Sequence, residues 1–84
     1  MHKPHPPTIE PGKRYVVRTD WASTSVRSLT FDSGALTLDI EFPSGERYRY
    51  FDVPATEFTA LFTTDSLGTY VNTRIKPRYR YAKL

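Results

Sequence analysis

Five cations and two flat rings fall within the last eleven residues of the chain: Arg74, Lys76, Arg78, Arg80 and Lys83, interleaved with Tyr79 and Tyr81. No acidic residue interrupts them. Lysine and arginine neutralise phosphates and tyrosine rings stack on unpaired bases, so this is the composition of a single-stranded nucleic-acid contact. The tetrapeptide Arg78-Tyr79-Arg80-Tyr81 also has an earlier copy, Arg47-Tyr48-Arg49-Tyr50. Alternate side chains of a strand face opposite ways, so each copy places its arginines on one face and its tyrosines on the other. Arg47, Tyr48, Arg49 and Tyr50 are therefore secondary candidates for the same chemistry.

Catalysis has less to draw on. The chain has no cysteine, and its two histidines, His2 and His5, lie in a proline-rich leader. The folded part thus offers neither thiol nor imidazole as nucleophile or base. Asp39 and Glu41 share a strand face, as a metal site or an acid-base pair requires, but the arginines expected opposite them make a solvated charge ladder the better account. Asp65-Ser66 presents a hydroxyl without a base and reads as a helix cap. There is no glycine-rich phosphate loop either. These residues describe a non-enzymatic module with no metal and no cofactor.

The 84 residues allow one domain, which at this size buries roughly 60% of the unfolded chain's surface and leaves no room for a deep enclosed site. The net charge of +3 is unevenly spread. Residues 1–27 carry five basic and two acidic groups, residues 28–72 two basic and seven acidic, and residues 73–84 five basic and none acidic. An anionic partner for the C-terminal segment and a merely solvated tail both fit this asymmetry. No long apolar run marks a signal peptide or a membrane span, so the expected setting is cytoplasmic, with no membrane partner and a monomer as the working state.

Pro4, Pro6, Pro7 and Pro11 make residues 1–24 a flexible leader, in which Tyr15 to Arg18 form a short strand or an arm and Trp21 covers the core edge. The domain is expected over residues 25–84. Leu29 and Phe31 alternate with polar residues up to Ser33-Gly34, a two-residue hairpin turn, which sets Phe31 opposite Leu36 and Leu29 opposite Leu38. Residues 36–42 alternate without a fault, and Pro43-Ser44-Gly45 suits a three-residue loop with a glycine bulge. That loop pairs Phe42 with Glu46, Ile40 with Tyr48, Leu38 with Tyr50, Glu41 with Arg47 and Asp39 with Arg49. Tyr48 and Tyr50 then turn toward the core. Beyond Pro54 the period lengthens to that of a helix through Ala55, Phe58, Leu61 and Phe62. Ser66 caps a second, shorter helical segment with Leu67, Tyr70, Val71 and Ile75 inward, ended by Pro77. The expected fold is α+β, a three-stranded antiparallel meander under one main helix and a short second one, with residues 78–84 as a tail or a fourth edge strand.

From about Ser25 to Leu84 the chain resembles the KTSC domain, a small module named for the C-terminus of some lysyl-tRNA synthetases. The residues that carry the resemblance are Phe42-Pro43-Ser44-Gly45, Tyr48-Arg49-Tyr50, Val53-Pro54, the run Ser66 to Asn72, Ile75-Lys76 and the ending Tyr79 to Leu84. The attachment to a tRNA synthetase makes RNA the ligand that the resemblance implies. A protein-interaction or accessory module without a nucleic-acid ligand is the competing expectation.

Overall fold

The computed structural model describes residues 5–19 and 24–84, so Trp21 and His2 lie outside the described residues. Five antiparallel strands follow one another in sequence order across a single sheet: β1 (Arg14–Arg18), β2 (Ser28–Asp32), β3 (Thr37–Glu41), β4 (Arg47–Tyr50) and β5 (Tyr81–Lys83). Between β4 and β5 come α1 (Ala55–Ala60) and α2 (Leu67–Tyr70), and α2 runs on into a π-helical turn over Val71–Ile75. The class is α+β, and the expected three-stranded meander is extended by β1, offered as a strand or an arm, and by β5, within the segment offered as a tail or a fourth edge strand.

The turn Pro43-Ser44-Gly45 forms as its residues require. Phe42 N–H donates to the Glu46 carbonyl at 2.9 Å, Gly45 N–H donates back to the Phe42 carbonyl at 2.9 Å, and Gly45 takes φ +92°. This positive φ is open to glycine at little cost. The register that follows is the expected one: Leu38 opposite Tyr50, Asp39 opposite Arg49, Ile40 opposite Tyr48 and Glu41 opposite Arg47.

The preceding hairpin differs. Its loop spans Ser33 to Leu36, so Phe31 faces Leu38 and Leu29 faces Ile40, a shift of two residues from the expected pairs. Asp32 is the cause. Its Oδ1 accepts from Gly34 N–H at 2.8 Å and Ala35 N–H at 3.0 Å, closing a wider turn than Ser33-Gly34 alone would make, and Leu36 adopts φ +57°. Because the side-chain period of a strand is two, the shift leaves the same residues on the inner face.

The segment offered as strand or arm is strand β1, with Tyr15 opposite Phe31 and Val17 opposite Leu29. The sheet therefore starts ahead of Ser25. At the other end β5 covers Tyr81–Lys83 rather than the whole tetrapeptide Arg78 to Tyr81, because Arg78 N–H and Tyr79 N–H both donate to the Ile75 carbonyl at 3.2 Å and hold those residues in a turn.

Two rows of inner-face side chains cross the sheet, Tyr15–Phe31–Leu38–Tyr50–Tyr81 and Val17–Leu29–Ile40–Tyr48–Lys83. The helical segments lay Phe58, Leu61, Phe62, Leu67, Val71 and Ile75 on them as one core. Phe58 is its centre, stacked on Phe31 at 4.9 Å and edge-on to Phe62 at 5.3 Å. The expected order of helix lengths is reversed. α1 has six residues, whereas Ser66 caps a continuous helical stretch of four α and five π residues, its Oγ accepting from Thr69 N–H at 3.3 Å. α1 stops at Ala60, and Leu61 and Phe62 enter the core from the turn that follows it.

Phe58→Ala removes the ring on which both layers close. Such a truncation typically costs about 3–5 kcal/mol. Urea unfolding is expected to show a loss of this size with an unchanged m value, and a loss under about 1 kcal/mol would contradict the placement of Phe58.

Candidate binding groove

Two short helices cannot roof five strands, and β5 is exposed along its length. The inner face at that edge therefore forms an open groove of about 550 Å³ lined by Phe42, Glu46, Tyr48, Tyr50, Lys76 and Tyr81. Strand parity builds its floor. Tyr48 and Tyr50 share a face of β4 with Glu46 just ahead of them, while β5 sets Tyr81 beside Tyr50 and Lys83 beside Tyr48. The rings form a connected strip: Phe42 edge-on to Tyr48 at 5.9 Å, Tyr48 to Tyr81 at 5.6 Å and Tyr50 to Tyr81 at 5.9 Å. Tyr81 retains 60% of its surface in solvent, so its ring is open to a visiting one.

The helical wall supplies a cation. In the π turn Lys76 N–H donates to the Val71 carbonyl at 2.9 Å, and this wider turn keeps both Val71 and Ile75 inward. Lys76, the next residue, extends over the Phe42 ring with Nζ 5.0 Å from its centroid. Across the groove, Lys83 Nζ lies 2.8 Å from Glu46 Oε2. The hydrogen bond from Lys83, then its charge, holds the Glu46 carboxyl below the usual range, and the same contact raises Lys83. Burial, followed by Tyr48 and Tyr81, raises Tyr50. With Glu46 negative and Lys76 and Lys83 positive, the groove combines aromatic walls with one surplus positive charge.

The expected C-terminal strip is thus divided among three places. Lys76, Tyr81 and Lys83 meet at the groove. Tyr79 turns away, its hydroxyl donating to Glu57 Oε1 at 2.7 Å, while the Tyr70 hydroxyl donates to Glu57 Oε2. Arg78 approaches Glu57 at 4.0 Å, and the Glu57 side chain is only 10% exposed. Arg74 lies over the Tyr70 ring at 5.7 Å. Arg80 points elsewhere, to Asp52 at 3.4 Å and over the Phe51 ring at 5.1 Å. Simple alternation fails because residues 76–78 form a turn.

Of the secondary candidates, Tyr50 is buried in the core and Tyr48 is half-buried at the groove floor. Arg49 grips Asp39 with two hydrogen bonds, at 2.8 and 2.9 Å, on the opposite face. Arg47 faces Glu41 in register, but makes no ion pair among the described residues, and Glu41 accepts from Ser28 Oγ at 3.1 Å instead. Phe42 and Glu46 were read only as turn residues. Their groove role was signalled by parity, since Glu46 precedes Tyr48 by two and Phe42 is its partner across the turn. Among the described residues no group of three or more His, Cys, Asp or Glu side chains is placed to hold a metal ion. No helix among them is long and apolar enough to cross a membrane.

The family model of the KTSC domain matches residues 22–79. The chain belongs to the KTSC domain family. An uncharacterised protein of Stutzerimonas stutzeri is 44% identical over 63 residues, which are 74% of this chain and 89% of that one. A lysine–tRNA ligase of Trichormus variabilis is 36% identical over 59 residues, 70% of this chain but only 10% of the ligase. The crystal structure of a KTSC domain protein from Yersinia pestis superposes with a TM-score of 0.77 at 21% identity, covering 86% of this chain and 99% of that one, and so shares its fold. Phe42, Glu46, Tyr48, Tyr50 and Lys76 fall within the KTSC match, and Tyr81 and Lys83 follow it.

Burial, reinforced by the hydrogen bond to Glu57 and its charge, pushes the Tyr79 hydroxyl from 10.0 up to about 12. A phenol that holds its proton more tightly when folded stabilises the KTSC domain fully below pH 10, and that contribution fades as pH rises toward 12. Urea midpoints measured from pH 9 to 12 are expected to fall through this window. Tyr79→Phe should shallow the fall without abolishing it, since Tyr50 and Tyr70 are raised too. An unchanged slope in the variant would refute the assignment.

Proposed function

We propose that this KTSC domain is a small non-enzymatic binding module whose ligand is single-stranded RNA, one base of which stacks on Tyr81 in the groove against Tyr48 and Phe42. Lys76 and Lys83 then meet the neighbouring phosphates. The observation that carries this reading is the open Tyr81 ring, packed on Tyr48 in a groove that Lys76 also lines, with Lys83 held on Glu46. A flat ring plus a nearby cation is what an unpaired nucleotide needs, since every base has a π-face and every linkage a charge. The volume also falls in the roughly 300–1,000 Å³ range usual for small-ligand sites. The occurrence of a similar segment within lysine–tRNA ligases agrees with an RNA partner. Relative to the sequence expectation, Tyr81 keeps the stacking role, Tyr48 joins it and Tyr79 leaves it.

Titration of isotope-labelled protein with short single-stranded RNAs at low salt is expected to shift the amides of Tyr48, Lys76, Tyr81 and Lys83. Tyr81→Ala should weaken binding by roughly 1–3 kcal/mol, the usual worth of one base stacked on an aromatic ring. Lys76→Ala should flatten the salt dependence, and Tyr79→Phe should leave affinity unchanged. Shifts confined to Arg74, Arg78 and Arg80 would move the site off the groove. No binding at low salt would remove RNA and leave the protein-interaction module, for which the open edges of β1 and β5 offer backbone donors and acceptors.

A further inference from the structure

The groove contains one group that a mere phosphate-and-stacking site does not require. Glu46 is an acidic residue lining a site read as binding a polyanion, and Lys76 lines the same groove. A carboxylate only accepts hydrogen bonds, and an ammonium only donates them. The two together specify a complementary edge, with N–H donors on one side and a carbonyl oxygen on the other.

We propose that the groove selects guanine among the four RNA bases, with the Glu46 carboxylate accepting from guanine N1–H and N2–H and the Lys76 ammonium donating to guanine O6. This inference rests on the reading of the groove as a base-stacking site. Guanine alone presents two adjacent donors beside a carbonyl on its Watson–Crick edge. Cytosine and adenine each offer a single amino group next to a ring acceptor. Uracil turns two carbonyl oxygens toward the carboxylate with one N–H between them, which leaves buried acceptors facing a negative charge.

Glu46 has the capacity for this contact. Its Oε2 accepts from Lys83 and its Oε1 from Ser44 Oγ at 3.4 Å, and each carboxylate oxygen has a second lone pair to give. Glu46 lines the groove together with Phe42 and Tyr48, so its carboxylate borders the rings on which a base would stack. Lys76 makes no ion pair among the described residues. It rests on the Phe42 ring, and an ammonium has three N–H groups, so donating to O6 leaves another for the phosphate it meets in the base-stacking reading.

The test uses GMP, AMP, CMP and UMP, each titrated separately into the labelled full chain and into Glu46→Gln. In the wild-type protein GMP is expected to shift the amides of Glu46, Tyr48, Lys76 and Tyr81 with an affinity roughly tenfold above that of AMP, a purine of similar stacking surface, as one bidentate pair should give. Glu46→Gln also raises the groove's charge, which helps all four anions alike, so the GMP-to-AMP ratio is the quantity that decides. It should fall toward parity once the charged bidentate acceptor is gone. Two results would overturn the selectivity while leaving base stacking intact: equal affinity for all four nucleotides, or a GMP preference that survives in Glu46→Gln. If no nucleotide shifts any groove amide, the stacking reading itself fails and the selectivity with it. Tyr81→Ala keeps these cases apart, because it should weaken all four nucleotides together without changing their order.

Discussion

The pairing of Phe42 with Glu46 across Pro43-Ser44-Gly45 is the constraint on which the rest of the domain depends. It sets the register of β3 against β4, and in a strand a slip of one residue would exchange the two faces. Tyr50 would then leave the core, Tyr48 would leave the groove, and the two hydrogen bonds from Arg49 to Asp39 would break. Asp39 is only 8% exposed, so that last loss would strand a carboxylate largely removed from water. An ion pair on a sheet face normally contributes little, about 0–1 kcal/mol, but here it also penalises the wrong register. The hydrogen bond to Asp39, followed by its charge, raises the Arg49 guanidinium further above its ordinary value.

The groove is a consequence of how far the helical layer reaches. Phe58 and Phe62 sit toward β1 and β2, against Tyr15 and Phe31, while Val71 and Ile75 complete the buried layer with Tyr50. Tyr81, at the β5 end of its row, keeps 60% of its surface in solvent. The strip from Phe42 to Tyr81 is covered only along one side, by Lys76 at the end of the π turn. A helix that ended one turn earlier would leave that wall without Lys76. A longer one would roof the rings and close the site.

Much of this was legible because strand patterns are local. The alternation of residues 36–42 and the turn chemistry of Pro43-Ser44-Gly45 fix each other, so the inward facing of Tyr48 and Tyr50 and the Asp39–Arg49 pair followed from counting. The Ser33 loop was not legible in the same way: the Asp32 side chain replaces backbone groups in closing the turn, and a count of residues between strands does not reveal that competition. β1 was half visible, its Tyr15 and Val17 correctly spaced but next to a proline-rich leader. Tyr79 and Tyr81 could not be told apart from composition. One answers to Glu57, 22 residues away, and the other to the edge of β4, and neither partner is marked near the repeat.

The charge asymmetry along the chain takes a different meaning once folded. Lys83 pairs with Glu46, Arg80 with Asp52 and Arg78 with Glu57, so three cations of the basic C-terminal segment meet carboxylates of the acidic middle. Each contact is modest and screened by salt, yet all three draw the last strand and the turn before it toward β4 and α1. The segment that looks in sequence like a free polyelectrolyte tail is thus electrostatically matched to its own domain. What it leaves over for a ligand is small in charge and large in aromatic surface: one surplus positive charge beside Tyr81, Tyr48 and Phe42. A site built this way offers ring geometry more than counterion release, and among the described residues that line it Glu46 is the one acid bordering the rings.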